Sequence, residues 1–307
     1  MNTYLKYQPP AVQFLSFLML AGGFFFLDYL LGSYFFKEIY EVLMDKSATV
    51  SPAMLGKFKW AQLVTSTLSF IVPALLFGYY SSPKALPYVG LQKTVAPILI
   101  IAAAVLLFCI QPFIGWLGNM NATINFGAMH QQLVEQEALY NRALQVFLQM
   151  KTGGDLLINL FIMALLPAVG EELFFRGALQ KGLMRLSNRP WFAILTSSIV
   201  FALLHGTYFK LLPIFALGVV LGIVYYVTRN LWYCIIIHFI NNAFAVFAVY
   251  YANRSETLRN LANDNIRIPI YLAIVSLAIT VGILYFIKRK SDEVMPATML
   301  DDEPDIA

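Results

Sequence analysis

The feature that most constrains the fold of this chain is a series of apolar stretches, each about as long as a bilayer is thick. About 20 mainly apolar residues cross the hydrocarbon core as a helix. Hydrophobic residues make up 59% of the 307 residues and charged residues only 12%. A soluble domain carries about 25% charged residues, so we expect an integral membrane protein. Eight stretches qualify, although the fifth and sixth are short: 11–32, 59–80, 95–118, 155–175, 191–207, 211–228, 231–251 and 268–287.

These stretches predict an all-α fold, a polytopic membrane helix bundle of about eight transmembrane helices. An additional amphipathic helix is predicted in the connection 119–154, where apolar residues recur at helical spacing among charged and amide side chains. We expect this helix to lie at the membrane interface. Gly153 and Gly154 are expected to break it, and Asp155 is expected to cap the helix that follows.

Composition also argues against nucleic acid as a partner and limits the roles of the two cysteines. The net charge of +4 is modest, and no basic block of the kind that binds nucleic acid is present. We therefore expect the lipid bilayer, and no nucleic acid, as a partner. Cys109 and Cys234 lie inside predicted spans without metal-ligand spacing, which is typical of small buried hydrophobes. The sequence carries no signal for an oligomeric state.

Eight spans put both termini on the same side of the membrane. The numbers of Lys and Arg on the two sides are nearly equal, so the count does not decide the orientation. Basic residues of the segment 176–189 and of the triplet 288–290 lie close to span ends, where the positive-inside bias acts most strongly. We therefore predict that the termini, and the end of the helix that carries Glu171, face the cytoplasm.

Two adjacent carboxylates, Glu171 and Glu172, end the fourth stretch and are followed by Arg176. A charge at membrane depth costs from ~2.5 to more than 10 kcal/mol, so such residues usually face a protein interior or a water-filled cavity. Glu172 and Arg176 share a helix face, and Glu171 points about 100° away. An ion pair that fixes the helix end is one interpretation of Glu172 and Arg176, and direct chemistry is the other. Glu171 has no sequence-local cation, which favours a general base.

Two histidines lie at membrane depth on other stretches. His205 follows Phe201 by four residues, and His238 precedes Asn242 by four, so one helix face can present an imidazole and an amide together. Taken alone, His205 is more typical of a structural residue than of a ligand, and His238 with Asn242 is also typical of the hydrogen bonds that join membrane helices. Asn241, beside Asn242, is a second candidate for the functional amide.

Together, the patterns Glu-Glu-x-x-x-Arg, Phe-x-x-x-His and His-x-x-x-Asn resemble the motifs of the CPBP (Abi) family of intramembrane proteases, which includes the type II CaaX prenyl proteases. The resemblance covers about 155–251. It implies hydrolysis of a peptide bond in a membrane-associated substrate, a peptide or a prenylated protein. The orientation predicted from the basic residues puts the mouth of this active site at the cytoplasmic side. The catalytic residues that it implies are Glu171, Glu172, Arg176, His205, His238 and Asn242.

The resemblance also implies a role for each residue. Glu171 and His205 would activate a water. His238 and Asn242 would donate hydrogen bonds to the tetrahedral oxyanion, and Glu172 with Arg176 would organise the site. We favour this metal-free interpretation, with no required cofactor. Zinc is the alternative, with Glu171, His205 and His238 as ligands and an open position for water.

Under this interpretation the chain divides into four segments. N-terminal transmembrane helices and the amphipathic connection occupy 1–150, and the protease-like core occupies 151–253. A C-terminal transmembrane helix follows at 254–290, and an acidic tail at 291–307 is expected to be disordered. The family also includes members linked to bacteriocin processing or self-immunity, and the sequence does not separate these substrates.

Two other classes of function compete with the protease. In a proton-coupled transporter, Glu171, His205 and His238 would form a relay across the membrane. The placement of the glutamates and His205 near span ends, and the lack of an inverted repeat, argue against it. A non-catalytic scaffold or immunity protein would leave a costly buried polar set unused. Asp28, the remaining intramembrane charge, is expected at the interface beside Tyr29.

Overall fold

The fold is described from a computed structural model, in which residues 4–35, 37–44, 50–258 and 267–294 are described. Helices and turns make up these residues, and seven of the helices are long and apolar enough to cross a membrane. The predicted all-α membrane bundle is confirmed. The helices are α1 Pro10–Phe35, α2 Lys37–Met44, α3 Pro52–Ser81, α4 Ala85–Tyr88, α5 Pro97–Asn121, α6 His130–Phe147, α7 Gly153–Ser187, α8 Pro190–Leu204, α9 Leu211–Thr228, α10 Leu231–Ala252 and α11 Ile270–Val294.

The predicted fifth span, 191–207, is the one that falls short. Helix α8 has 15 residues, which at 1.5 Å per residue gives about 22 Å. The hydrocarbon core is about 30 Å thick. The bundle therefore has seven full-length candidates and one short apolar helix where eight spans were predicted. The predicted amphipathic helix is present as α6.

Helix α7 begins and ends differently from its prediction. Thr152 caps its start through a hydrogen bond from the Asp155 amide, and Asp155 at the third position bonds back to Thr152. The prediction of Asp155 as the cap is therefore wrong, because the residues form a reciprocal capping box. The helix was expected to stop at 175 but runs to Ser187, where Asn188 adopts a left-handed conformation. Glu171 therefore lies near the middle of α7.

Three prolines modify the long helices. Pro73 in α3 and Pro167 in α7 each follow a π-helical segment, Thr67–Ile71 and Leu160–Leu165 respectively. A proline lacks the N–H that the regular ladder needs, and a local widening is one way to accommodate it. Pro112 lies inside α5. One turn of α5 is completed there from α11, whose Ser276 hydroxyl accepts from the Phe113 amide and donates to the Cys109 carbonyl.

Asp28 joins α1 to α3. Its two carboxylate oxygens accept hydrogen bonds from the hydroxyls of Thr65 and Ser69, at 3.1 and 3.2 Å. Asp28 is half-buried, whereas Tyr29 beside it is exposed. The carboxylate thus connects two helices. The sequence analysis expected Asp28 at the membrane interface and did not predict this contact between α1 and α3.

The two ends of the bundle can be told apart by the helix ends that meet there. Gln13 near the start of α1 accepts from Arg185 near the end of α7, and Ser291 near the end of α11 donates to Val227 near the end of α9. We call this the terminal end. His205 follows α8 at the opposite, distal end. The end of α7 lies at the terminal end, beside the start of α1. Glu171 was expected at that end of the helix, but α7 continues past it, so Glu171 lies near the middle of the helix.

The predicted segment boundaries can be compared with the helices. Helix α11 continues through Val294, so the boundary at 290 falls inside it. The rest of the predicted acidic tail, 295–307, lies outside the described residues.

Candidate active site

A buried ionic network lies at the centre of the site. Arg176 Nη1 donates to Glu172 Oε1 at 2.9 Å, and His238 Nδ1 donates to the same oxygen at 2.8 Å. The three side chains are 1%, 0% and 4% exposed. The predicted ion pair is therefore present and buried in the bundle. It lies in the middle part of α7 rather than at an end, so it does not fix a helix end. We call Glu172, Arg176 and His238 the inner network.

Close contact between α7 and α9 holds the inner network in place. Arg176 Nη2 donates to the Gly218 carbonyl at 3.0 Å, and one turn later Gln180 Nε2 donates to the Gly222 carbonyl at 2.9 Å. A Cβ on Gly222 would stand 2.9 Å from Gln180 Oε1, so the carbonyl is reached because no side chain intervenes. The sequence analysis missed these residues, although the spacing Gly218-x-x-x-Gly222 is a known signal for close helix contact in membranes.

The Phe201 ring provides the surface against which both histidines and the arginine are arranged. The Arg176 guanidinium lies 4.6 Å from the ring centroid. The His205 and His238 rings meet it edge-on, with centroids 4.5 and 5.9 Å away. Cation–π and edge-to-face contacts of this kind fix the orientation of a charged or aromatic group in a dry environment. Phe201 therefore acts as a positioning surface for residues from three helices.

Glu171 and His205 lie beside the inner network and are arranged more openly. Glu171 Oε2 is 3.9 Å from His205 Nε2 and 3.8 Å from His238 Nε2. Both separations exceed a direct hydrogen bond. The Glu171 and His205 side chains are 15% and 28% exposed. We call Glu171 and His205 the outer pair.

The ring orientation of His205 is set by its own helix. Its Nδ1 lies 2.7 Å from the Phe201 carbonyl oxygen. A carbonyl only accepts, so Nδ1 carries a proton and donates it. In the neutral ring Nε2 is then the acceptor, and it is the atom that faces Glu171. A hydrogen bond from the opposite ring nitrogen commonly sets which nitrogen does the chemistry.

The two candidate amides on α10 have different partners. Gln111 on α5 donates to Asn241 Oδ1, and Asn241 Nδ2 donates to Asn242 Oδ1, both at 3.4 Å. The Asn241 side chain therefore forms a hydrogen bond with α5. The oxygen of Asn242 is the acceptor, which turns its NH₂ away from Asn241. Asn242 lies one helical turn beyond His238.

Helix α6 adds side chains that the sequence analysis did not assign to the site. Partial burial raises the pKa of the Tyr140 phenol above 10.0, and the negative charges of Glu137 and Glu171 raise it further. Lys210, five residues after His205, lies 3.6 Å from Glu137. A helix separated from the motifs by tens of residues gives no local sequence signal for such an approach.

The structure brings five of the six predicted site residues together. Glu171, Glu172 and Arg176 come from α7, His205 from the end of α8, and His238 from α10, with Asn242 one turn away. Among residues 4–35, 37–44, 50–258 and 267–294, no group of three or more His, Cys, Asp or Glu side chains is arranged to hold a metal ion.

Comparison with known protein families gives a match in the second half of the chain. Residues 153–244 match a family model described as type II CAAX prenyl endopeptidase Rce1-like. The match covers just under a third of the chain, from the first residue of α7 into α10, and includes all six predicted site residues. No curated protein and no solved structure matches the chain at a significant level.

Proposed function

We propose that this chain is an intramembrane endopeptidase that uses Glu171 to activate a water. The match of residues 153–244 to the family model of type II CAAX prenyl endopeptidases supports this proposal. The chain is a multi-pass membrane protein, so its substrate is membrane-associated. A peptide with a prenylated cysteine is the substrate class that the family suggests. The observation that carries the proposal is the outer pair.

The distances in the outer pair suit a reacting water. Gaps of 3.8 and 3.9 Å from Glu171 Oε2 to the two histidine nitrogens are too long for direct hydrogen bonds and wide enough for a bridging water. In this proposal the Glu171 carboxylate takes a proton from the water as its oxygen attacks the carbonyl carbon. Glu171 then delivers that proton to the leaving amine nitrogen as the C–N bond breaks. The His205 Nε2 lone pair orients the same water.

The inner network would serve the oxyanion. His238 donates to Glu172 through Nδ1, and Nε2 faces Glu171. For Nε2 to donate as well, the ring must carry both protons, and the Glu172 carboxylate is the counter-charge that such a ring needs. Asn242 supplies the second donor from the same face of α10. Buried, prearranged donors of this kind stabilise an oxyanion more than water does.

We propose that the reaction needs no metal. A zinc ion, if bound, would supply an activated water, and Glu171, His205 and His238 would be its ligands. In the described residues those side chains do not form a metal-holding group, and no step above passes through zinc. Activity that a strong chelator abolishes and that Zn²⁺ alone restores would overturn this part of the proposal.

We also propose that the terminal end faces the cytoplasm. The Lys and Arg residues of this end lie on short connections and at helix ends, where the positive-inside bias acts most strongly. These basic residues are Lys84, Lys93, Arg185, Arg189, Arg229, Lys288, Arg289 and Lys290.

The transporter remains the alternative class of function. One argument against it was that the glutamates lie near a span end, and this argument no longer holds, because Glu171 lies near the middle of α7. The family match supports the protease. Uptake of a solute into proteoliposomes that requires a pH gradient and Glu171 would favour the transporter.

The experiment that tests the proposal is cleavage of a small peptide panel by detergent-purified protein, read by mass spectrometry. Each peptide is supplied with and without a farnesyl group on one cysteine, and the Glu171→Gln variant is the control for contaminating proteases. Cleavage by the wild type alone supports the protease. A preference for the farnesylated member supports the substrate class. Equal cleavage by both proteins, or by neither, contradicts the proposal.

A further inference from the structure

Lys210 joins the segment after His205 to the amphipathic helix α6. Its Nζ lies 3.6 Å from Glu137 Oε1, donates to Asn141 Oδ1 at 3.4 Å, and stands 5.5 Å from the centroid of the Tyr140 ring. The three partners occupy one stretch of α6, within two turns. A single cation therefore holds the middle of this helix.

The neighbouring residue makes a second contact with the same helix. Phe209 meets the ring of His130, at the start of α6, edge-on at 5.7 Å, and the ring of Phe126 at 5.5 Å. Between His205 and this anchored segment stands Gly206 with φ +66°, a conformation that suits glycine. The position of His205 is thus linked to α6 through a short connection, which turns at Gly206 before it reaches Phe209 and Lys210.

The apolar contacts of α6 are concentrated towards its end. Leu133 and Val146 are its buried residues, and Leu144 and Phe147 pack against buried apolar clusters. Residues 134–136, 138 and 140 are exposed, so apolar contact holds the middle of the helix less firmly than its end. Glu137 is only 14% exposed, whereas Lys210 is 49% exposed. A carboxylate that is largely withdrawn from water needs its cation, because an uncompensated buried charge is strongly destabilising. The pair is therefore worth more than an exposed surface ion pair.

We propose that Glu137 and Lys210 are positioning residues of the active site. The pair fastens α6 across the distal end, which holds the segment that carries His205 in register with the outer pair. This inference rests on the proposed protease function for its catalytic part. It assigns a role to a charge pair that lies outside the three sequence motifs.

A purely structural pair would affect folding alone, so the test must separate the two roles. Lys210→Glu and Glu137→Lys each place like charges together, and the double variant restores an opposite pair with the signs exchanged. The matched control is the exposed pair Glu38 and Lys57, which joins α2 to α3, reversed in the same way. All variants are purified in the same detergent as the wild type.

We expect each single reversal at Glu137 or Lys210 to lower kcat on the order of tenfold or more, because small displacements of catalytic groups carry large penalties. KM should change by less than about twofold, since substrate binding is not the step affected. The double variant should recover most of kcat, and the control reversals should leave it unchanged. Wild-type kcat in both single reversals, or no recovery in the double variant, would overturn the positioning role.

Hydrogen–deuterium exchange supplies a readout that does not need activity. Residues 130–147 and 205–211 should exchange faster in each single reversal and return towards wild-type rates in the double variant. Unchanged exchange in the single reversals would overturn the inference even in a preparation that cleaves nothing. If exchange responds as expected but the wild type shows no Glu171-dependent cleavage, the protease proposal fails and the anchoring of α6 stands.

Discussion

The inner network and the outer pair use the same residue types a few ångströms apart and are built in opposite ways. In the inner network, Glu172 Oε1 accepts from Arg176 and His238 at 2.9 and 2.8 Å, and the side chains are almost fully buried. In the outer pair, Glu171 stands 3.9 Å from His205, and both side chains are partly exposed. Adjacent glutamates thus differ in how completely they are partnered.

The difference shows how one helix can supply both a scaffold and a reactive group. A carboxylate oxygen that accepts hydrogen bonds from two cationic or N–H donors in a dry environment is well stabilised and has no free lone pair directed at a substrate. A carboxylate with gaps near 4 Å on both sides keeps room for a water. His238 belongs to both regions, because Nδ1 binds Glu172 and Nε2 faces Glu171.

Among these substitutions, the largest loss of activity is expected from removing His205, the histidine of the outer pair. His205→Ala should lower kcat by about 10²–10⁴-fold, the range that general acid–base catalysis contributes, because the water that Glu171 deprotonates loses the lone pair that orients it. The unfolding temperature should change little, because the ring makes one hydrogen bond, to its own helix. Cleavage of a reporter peptide and thermal unfolding of the same preparation check both parts. A large loss of stability would place His205 with the inner network and break the comparison.

Breaking the inner network should first affect stability. Arg176→Met leaves the Glu172 carboxylate buried with one partner fewer, at a cost of about 3–5 kcal/mol in the free energy of unfolding. The double variant Glu172→Gln with Arg176→Met should be less destabilised than the sum of the two single changes. Thermal unfolding in detergent measures this. Additive losses would show that the two residues act independently.

The two asparagines of α10 sharpen the assignment of the oxyanion donor. Asn242→Ala should cost about 2.7–4 kcal/mol of transition-state stabilisation, the typical value for one lost donor. Asn241→Ala is the matched control and should change kcat only slightly, because its side chain is engaged with Gln111 and Asn242. Steady-state kinetics of both variants decide the point. A larger loss in Asn241→Ala would reverse the assignment.

The smallest effect is expected at Asp28, a carboxylate outside both regions. Asp28→Asn keeps an oxygen that can accept from Thr65 or Ser69, and interhelical hydrogen bonds in membranes average only about 0.6 kcal/mol. Stability should therefore change by less than about 1 kcal/mol, and cleavage should be unaffected. A loss of activity at constant stability would mean that α1 and α3 contribute to the chemistry.

The sequence predicted the features that depend on local pattern. Apolar length predicted the bundle, helical spacing predicted α6, and the three motifs predicted residues that meet from three helices. The predicted end of α7 was wrong, because a hydrophobicity scan treats Arg176 as a water-exposed charge. In the fold Arg176 is paired with Glu172 and the Gly218 carbonyl, so the helix continues past it.

Features that depend on which helices become neighbours could not be predicted in the same way. Gly218 and Gly222 carried a visible spacing signal, and reading it would have indicated close contact of α9 with another helix. The approach of α6 to the site depends on Lys210 and Glu137, which are 73 positions apart in the sequence. No periodicity within either segment encodes that contact.

The most direct test of the comparison is a matched pair of substitutions, Glu171→Gln and Glu172→Gln, assayed for peptide cleavage and for thermal unfolding. Each keeps the shape of the side chain and removes its charge. We predict that Glu171→Gln lowers kcat at least about hundredfold with a near wild-type unfolding temperature, and that Glu172→Gln lowers the unfolding temperature markedly. Wild-type cleavage by Glu171→Gln would contradict the account, because Glu171 would then not be the base.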